Sequence, residues 1–278
     1  KRKFNDIVKK TPEVSNTRDQ LVRCADTLVC NHNNHKMITA GFSWLYTGLL
    51  RESLYSIVGL TLAKDGNAAE FEEILDNLIA DEQERLFSRT TQVEAPLYLA
   101  SVLQKYIDDF GADPAKVWKK YGSTVRGVLE SYLPGVRKEV AMTDEGLLWA
   151  RVDGVALTWM NAYINGRAVT ERAGYQVETN AFWYNSICFA LEMEQKFPTE
   201  DSAEFVARWT PIRDRVLAGF QPKFWNERLG ILADYVDEAG QHLEMRPNQL
   251  YAIWVKYSPV DELLFPAILR AVDKELIT

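Results

Sequence analysis

The 278-residue chain contains no run of about 18 apolar residues, so the sequence predicts no membrane-spanning helix. It opens at Lys1 without the apolar stretch of a signal peptide and without an initiator methionine, and we expect a fragment or a processed product. Its three cysteines, Cys24, Cys30 and Cys188, form neither a disulfide framework nor a zinc pattern. This cysteine usage favours a reducing compartment, and we expect a cytoplasmic protein.

An excess of positive charge is also missing, because 32 Lys and Arg stand against 39 Asp and Glu. The net charge of -7 argues against nucleic acid or an anionic membrane as the partner and leaves a neutral or cationic ligand possible. His32 and His35 lack further metal ligands nearby, so we expect no metal. Neither a glycine-rich phosphate loop nor βαβ alternation occurs, and we expect no cofactor.

Aromatic residues are abundant, with eight Trp and twelve Tyr. Such rings stack on the apolar faces of sugars, but they also pack protein cores, and composition leaves both interpretations open.

Helical periodicity dominates the sequence. Phe71, Ile74, Leu75, Leu78 and Ile79 follow the spacing of one helix face. The pattern predicts nine helices at about 17–31, 51–64, 67–86, 94–110, 114–132, 178–196, 200–218, 247–257 and 261–276.

Two stretches do not have the helical pattern. Residues 143–177 are broken by glycines with short β-like pieces between them, and residues 223–244 have the pattern of a hairpin. No Pro-rich or Gly/Ser-rich linker divides the chain, so we expect one domain over 1–278. Helices joined by long irregular loops favour an all-α helical toroid over a tight bundle.

Three stretches contain short motifs in a fixed order. The first, residues 40–60, contains AGFSW, RES and GL. It resembles the bacterial and archaeal glycogen-debranching family, which has AGYPWF, WGRDT and PGL there. Residues 146–185 contain GLL, LTWMNA and VETNAFWYN, where the family has DGLL, LTWMDA and VEINALWYN. Residues 224–259 contain FWNE, RPNQ and YSP, which are also family motifs.

This resemblance implies an (α/α)6 toroid that hydrolyses α-1,6-linked glucose at glycogen branch points with inversion. It implies an α-glucan or oligosaccharide as the partner. Family barrels follow a β-rich domain and continue past the region of Glu275, so a barrel incomplete at its C-terminal end is expected. A non-catalytic α-glucan-binding protein is the alternative, and the ordered motifs count against a third interpretation, a helical repeat scaffold that binds proteins.

Inverting hydrolysis needs one carboxyl group that protonates the leaving oxygen and another that activates water. The resemblance puts the acid in the Asp of TWMD, where this chain has Asn161. An amide cannot act as that acid. Glu178 is the substitute candidate, and its alternative role is a hydrogen-bonded carboxylate near a helix start. The resemblance places the general base beyond residue 278.

Several residues are candidate substrate contacts. Arg51-Glu52 stands where the family has Arg-Asp, a pair that grips glucose hydroxyls in related barrels, although a structural ion pair is the alternative. Three tryptophans are possible stacking surfaces for a sugar ring, and core packing is favoured for Trp183, which lies in a helical pattern. Two further candidates, Arg246 and Glu94, lie in family motifs. These tryptophans and motif residues are Trp44, Trp159, Trp183, Arg246 and Glu94.

Overall fold

A computed structural model describes residues 16–32, 35–41 and 49–277. The chain separates into two compact units, one up to Leu78 and one from Ile79 onwards. We describe each unit by itself.

The first unit is mainly helical, with one antiparallel strand pair. Its elements are α1 (Thr17–Leu28), β1 (Val29–His32), β2 (His35–Ile38), α2 (Leu50–Leu60), α3 (Leu62–Asp65) and the greater part of α4 (Ala68–Asp81). Asn16 caps α1, because its side chain accepts a hydrogen bond from the backbone N–H of Asp19 at 3.0 Å. The predicted helix 17–31 is too long, since residues from Val29 onwards pair with β2 instead.

The second unit contains the remaining helices. They are α5 (Gln83–Phe87), α6 (Ala95–Asp108), α7 (Pro114–Ser131), α8 (Val177–Lys196), α9 (Ser202–Phe224), α10 (Gln249–Trp254) and α11 (Phe265–Leu276), the last preceded by the 3-10 turn Glu262–Leu264. Asp113 caps α7 by accepting from Ala115 N at 2.9 Å, and Pro114 fits the first helical position. The single helix predicted over 67–86 is divided into α4 and α5, whereas α9 continues past the predicted end at 218.

Helix α8 forms the centre of this unit and packs against α6, α7, α9 and α10. It has no polar face, and its buried polar side chains bond to neighbouring elements instead. Asn180 accepts from Leu148 N at 2.7 Å and donates to Leu148 O at 3.1 Å. Asn185 donates to Gln104 Oε1 at 2.9 Å, and Ser186 donates to Leu97 O at 2.9 Å. These bonds pair three of the buried polar side chains of the helix, whereas Oγ1 of the buried Thr179 has no hydrogen-bond partner among the described residues.

Short strands occupy the two stretches that lack the helical pattern, as predicted, and one further strand lies just before the first stretch, at residues 140–142. They are β3 (Val140–Met142), β4 (Leu148–Ala150), β5 (Tyr163–Ile164), β6 (Arg167–Ala168), β7 (Tyr175–Gln176), β8 (Trp225–Asn226), β9 (Ile231–Leu232), β10 (Tyr235–Asp237) and β11 (Gly240–His242). A three-stranded sheet in the order β11-β10-β7 joins the two stretches.

Gly174 permits this junction. Its φ is +126°, and a Cβ added there would lie 2.3 Å from the carbonyl oxygen of Val236. Only glycine allows the backbone before β7 to approach β10 so closely. The sheet in turn sets the position of the residues before β7 relative to those before β10.

Candidate active site

A buried ion-pair network lies where these two stretches meet. Arg172 is its centre, and the Arg172 side chain has no exposed surface. Its Nη1 and Nη2 donate to Oε1 and Oε2 of Glu178 at 2.5 and 2.7 Å. Its Nε and Nη2 donate to Oδ2 and Oδ1 of Asp234 at 2.9 and 3.0 Å. One guanidinium therefore makes two-point contacts with two carboxylates.

The remaining donor capacity of Arg172 is also used. The second hydrogen of Nη1 is donated to Oγ1 of Thr158 at 3.1 Å, and one hydrogen of Nη2 is shared between Oδ1 of Asp234 and the carbonyl oxygen of Asp234, which lies 2.9 Å away. Arg172 adopts a left-handed backbone conformation with φ of 50°, which is uncommon for a residue with a side chain. The hydrogen bonds of its side chain hold Arg172 in this conformation. Unfavourable backbone conformations that are held in place by their surroundings occur often at functional sites.

Asp234 extends the network towards the protein surface. It accepts a hydrogen bond from Arg246 Nη1 and another from Asn248 Nδ2, the latter at 2.6 Å. The Oδ1 atom of Asn248 then accepts the indole N–H of Trp159 at 2.8 Å. Asn248 is fully buried, whereas Trp159 is 39% exposed. A continuous series of hydrogen bonds thus joins the buried ion pairs to an exposed aromatic ring.

The starts of three helices contribute to this region. Glu94 precedes α6, Glu178 lies in the first turn of α8, and Asn248 precedes α10. The backbone N–H of Val93 donates to Leu157 O at 2.9 Å, next to Thr158, and so brings the start of α6 to the same segment. The carboxylate of Glu178 is favourably placed at the positive end of the α8 dipole.

The charges of the network balance, since Arg172 and Arg246 face Glu178 and Asp234. Burial is the largest single influence on the pKa of Arg172 and lowers it. The charges and hydrogen bonds of Glu178 and Asp234 together outweigh burial, so the pKa is raised above its ordinary value. The guanidinium is therefore permanently charged, and the network offers no excess charge to a ligand.

Residues 16–278 match the family model described as amylo-alpha-1,6-glucosidase. The chain belongs to this family. Among solved structures it is similar to a rhamnosidase from Klebsiella oxytoca with rhamnose bound, with 12% sequence identity and a TM-score of 0.56. The likeness covers 95% of this chain and 49% of that chain, so the present chain spans about half the length of the rhamnosidase. None of the curated proteins matches it.

Family membership and the structural likeness identify a glycoside hydrolase-like protein. The likeness also shows the fold, which is the all-α helical toroid that the sequence predicts. Within the described parts of the chain, no helix is long and apolar enough to cross a membrane. The same residues include no cluster of three or more His, Cys, Asp or Glu side chains suited to a metal ion.

The candidate acid positions of this amylo-alpha-1,6-glucosidase family member differ sharply in environment. Asn161 is exposed, in the non-helical segment between Trp159 and β5. Glu178 is fully buried, and both of its oxygens accept from Arg172. A general acid needs a proton-bearing oxygen that faces the substrate. The environment of Glu178 is that of the alternative role, a hydrogen-bonded carboxylate near a helix start.

The candidate sugar-stacking tryptophans also differ. Trp183 has no exposed surface, packs edge-to-face against Trp209 with ring centroids 5.6 Å apart, and donates to Gly146 O at 3.0 Å. Its assignment as a sugar contact is therefore corrected to a core residue, because the surrounding core covers its ring. Trp159 keeps an exposed ring. Trp44 lies outside the described residues.

Four other predicted contacts are found in different settings. Arg51, in the first turn of α2, is buried, and its Nη1 lies 4.0 Å from Oε1 of Glu52. Both residues belong to the first unit. Glu94 is fully buried at the start of α6, and Arg246 is partly exposed in its ion pair with Asp234.

Arg172 and Asp234, which hold the site together, were not predicted from the sequence. They stand 62 residues apart, outside the motifs that carry the family resemblance. The signal available in the sequence was Gly174, two residues after Arg172, because a glycine next to a short β-like piece often marks a close approach of two backbones. The structure shows this approach between Gly174 and Val236.

Proposed function

We propose that this chain is the catalytic-barrel part of an amylo-α-1,6-glucosidase that acts on α-1,6-linked glucose at α-glucan branch points by an inverting acid/base mechanism. We further propose that it has little or no activity in this form. The observation that carries the first proposal is the exposed ring of Trp159, held by Asn248 beside a charge-balanced network inside a family member.

A neutral sugar suits this arrangement better than a charged ligand does. Pyranose rings present apolar C–H faces, which pack on aromatic rings, and hydroxyl groups, which need both donors and acceptors. Trp159 offers the ring, and the partly exposed Arg246 offers donors beside it. Because Asp234 already neutralises Arg246, a hydroxyl can bond there without the strong ionic preference that a carboxylate or phosphate ligand would require.

The proposed loss of activity rests on Asn161. The residue occupies the acid position of the family motif and is exposed two residues after Trp159. A carboxylic acid at this place would protonate the leaving glycosidic oxygen, while a general base activates water on the opposite face of the sugar. A carboxamide cannot supply that proton, so the leaving group would depart as an unstabilised alkoxide.

We keep Arg51, Glu52, Glu94 and Trp44 as proposed contacts to the terminal glucose, by resemblance to the family pattern. Arg51 and Glu52 would supply donors and acceptors to adjacent hydroxyls. The buried Glu94 would act at the start of α6. Glu178 would act through Arg172 as a positioning group.

Calorimetric titration with isomaltose and maltose tests the proposal. We expect isomaltose to bind, and Trp159→Ala to weaken its affinity by about 10-fold or more through loss of ring contact. Trp254→Ala is the matched control, because Trp254 is 44% exposed at the far end of α10. Absence of isomaltose binding to the unaltered chain, or equal effects of the two substitutions, would contradict the assignment.

A non-catalytic α-glucan-binding protein is the second candidate, and Asn161 is the observation that favours it. The two candidates differ in their response to restoring the acid. A binding protein would retain sugar affinity without glucose release after Asn161→Asp, even where a general base is present, whereas an inactivated hydrolase would regain turnover.

We also propose a cytoplasmic location, because Cys24, Cys30 and Cys188 are all free thiols. Fractionation of the source cells followed by immunodetection would test this, and recovery of the protein outside the cytoplasm would contradict it.

A further inference from the structure

We infer that Asn248 is a positioning residue that transmits the fixed geometry of the Arg172–Asp234 ion pair to the exposed ring of Trp159. The hydrogen-bond relay runs from Asp234 through Asn248 to Trp159 and is inferred from the observed contacts alone. The effect of the relay on sugar affinity rests on the proposed function, so the relay and its effect on affinity are tested separately below.

The orientation of the Asn248 amide is determined at both ends. Both Asp234 carboxylate oxygens accept hydrogen bonds from arginine guanidinium groups, which can only donate, so the Asn248 NH2 group faces this carboxylate as a further donor. The indole N–H of Trp159 only donates, so it must meet the Asn248 carbonyl oxygen. The observed distances, 2.6 Å to Asp234 Oδ1 and 2.8 Å from Trp159 Nε1, fit this one orientation.

The relay is anchored in rigid structure. The backbone N–H of Asp234 donates to His242 O at 2.9 Å, and its side chain accepts two bonds from Arg172. Asp234 is 3% exposed, and Asn248 and Arg172 are buried with it. Only the last member, Trp159, reaches solvent. An exposed ring in a non-helical segment would otherwise sample several rotamers, and it would lose that freedom on binding a ligand.

No close substitute supplies the same pair of bonds. Aspartate at position 248 would put a second carboxylate against Asp234, and alanine would leave the indole N–H without its partner and remove one of the two bonds to Asp234 Oδ1. The single amide of Asn248 therefore donates to Asp234 and accepts from Trp159. We expect either replacement to leave the Trp159 ring free to change rotamer.

The first test observes the ring directly and needs no sugar. The eight tryptophans give eight indole ¹H–¹⁵N signals, and Trp159→Phe identifies the signal of Trp159. In the unaltered protein we expect this indole N–H to be protected from hydrogen exchange although its ring is 39% exposed. In Asn248→Ala and Asn248→Asp we expect its signal to shift and its exchange to accelerate at least about 10-fold, with the other signals in place.

Asn226→Ala is the matched control. Asn226 is also a bridging amide, at the end of β8 next to Trp225: it donates to Gln241 Oε1 at 2.9 Å and accepts from Leu229 N at 3.1 Å. We expect this substitution to leave the Trp159 signal unchanged. If both Asn248 variants fail to fold, the exchange rate of the Trp159 indole N–H in the unaltered protein still tests the relay. An exchange rate as fast as that of a free indole would overturn it. An unchanged Trp159 signal in folded Asn248→Ala would overturn it as well.

The second test connects the relay to ligand affinity through a double-mutant cycle with isomaltose. We expect Asn248→Ala to weaken binding by about 3–10-fold, the cost of ordering a released side chain. In a Trp159→Ala background the same change should have almost no effect, because the ring it positions is gone. Additive effects would contradict the positioning role. If the unaltered protein binds no isomaltose, the proposed function fails, while the indole exchange data still decide on the relay.

Discussion

Arg172 and Glu178 form a two-point ion pair in which neither side chain is exposed, with Nη1–Oε1 and Nη2–Oε2 distances of 2.5 and 2.7 Å. The pair joins the segment before β7 to the first turn of α8. It therefore fixes the loop that leads out of the Asn161 region onto the central helix. Its members act together with Asp234, so each is expected to affect the whole network when it is replaced.

Replacing Arg172 should be severely destabilising. Arg172→Met keeps an apolar stem of similar length, but it leaves Glu178 as a buried carboxylate without its ion-pair partner and removes the Arg172 bonds to Asp234. We expect a loss of about 3–5 kcal/mol in the free energy of unfolding. Urea denaturation followed by circular dichroism measures it. Arg151→Met is the control, since Arg151 pairs with Asp153 and Glu238 on the surface and should change stability little. Similar losses in the two variants would contradict the role of the network.

Gly174→Ala should destabilise the sheet that connects the two non-helical stretches. The new methyl group would meet Val236 O at 2.3 Å, in addition to the strain of φ at +126°. Gly154→Ala measures the contribution of backbone strain alone, because Gly154 has φ of +75° and no neighbouring atom within 4 Å of an added Cβ. We expect about 1 kcal/mol for Gly154→Ala and a distinctly larger loss for Gly174→Ala, both from urea midpoints. Equal losses would show that the close approach to β10 is relieved without cost.

Asn161→Asp should restore hydrolysis. In a form of the protein that also supplies the general base, we expect glucose release from a branched limit dextrin to rise by about 10²–10⁴-fold. Only the protonated carboxyl donates, so the gain should be largest below the pKa of the introduced group and fade as pH rises through it. Asn165→Asp makes the same chemical change in the β5–β6 turn and should have no such effect. Equal rates for the unaltered and Asn161→Asp proteins would place the acid elsewhere.

Glu192 should contribute to stability in a pH-dependent way. Burial, the largest single influence, raises its pKa, but hydrogen bonds from Lys196 and Tyr257 and the charge of Lys256 together lower it below its ordinary value. The stabilisation is therefore complete above the ordinary carboxyl pKa of about 4.3 and is lost as pH falls through the lowered pKa of the folded state.

Glu192→Gln should accordingly flatten the acid limb of the stability profile. The measurement is the urea midpoint at a series of pH values between about 3 and 7. Glu200→Gln is the control, because Glu200 is exposed and has no ion pair with any residue in the described ranges. A mutant profile parallel to that of the unaltered protein would contradict the coupling between Glu192 and its partners.

Much of the fold was predictable from sequence because its causes are local. The apolar spacing from Phe71 to Ile79 predicted a helix, and the helix predicted at 114–132 begins at Pro114, where Asp113 caps it, since caps and periodicity act within a few residues. The boundaries that failed had non-local causes. The strand from Val29 to His32 exists because its partner strand pairs with it, and no property of the preceding helix specifies that pairing.

The candidate site, like the fold, was predicted from the sequence only in part. The sequence by itself determined the family through ordered motifs and identified Asn161, Trp159 and Arg246 as candidates. Only the tertiary structure decided that Trp183 is a core residue while Trp159 is exposed, because burial depends on what packs around a ring and not on its neighbours in the chain.

The tertiary structure also determined the surroundings of Glu178. Its partner Arg172 is joined to Asp234, 62 residues further on, and Trp159 is joined to Asn248 across 89 residues. Contacts over such separations leave no periodic signal in a single sequence. They form because the close approach at Gly174 brings two irregular stretches together, and a buried charge there is stable only when every one of its partners is in place.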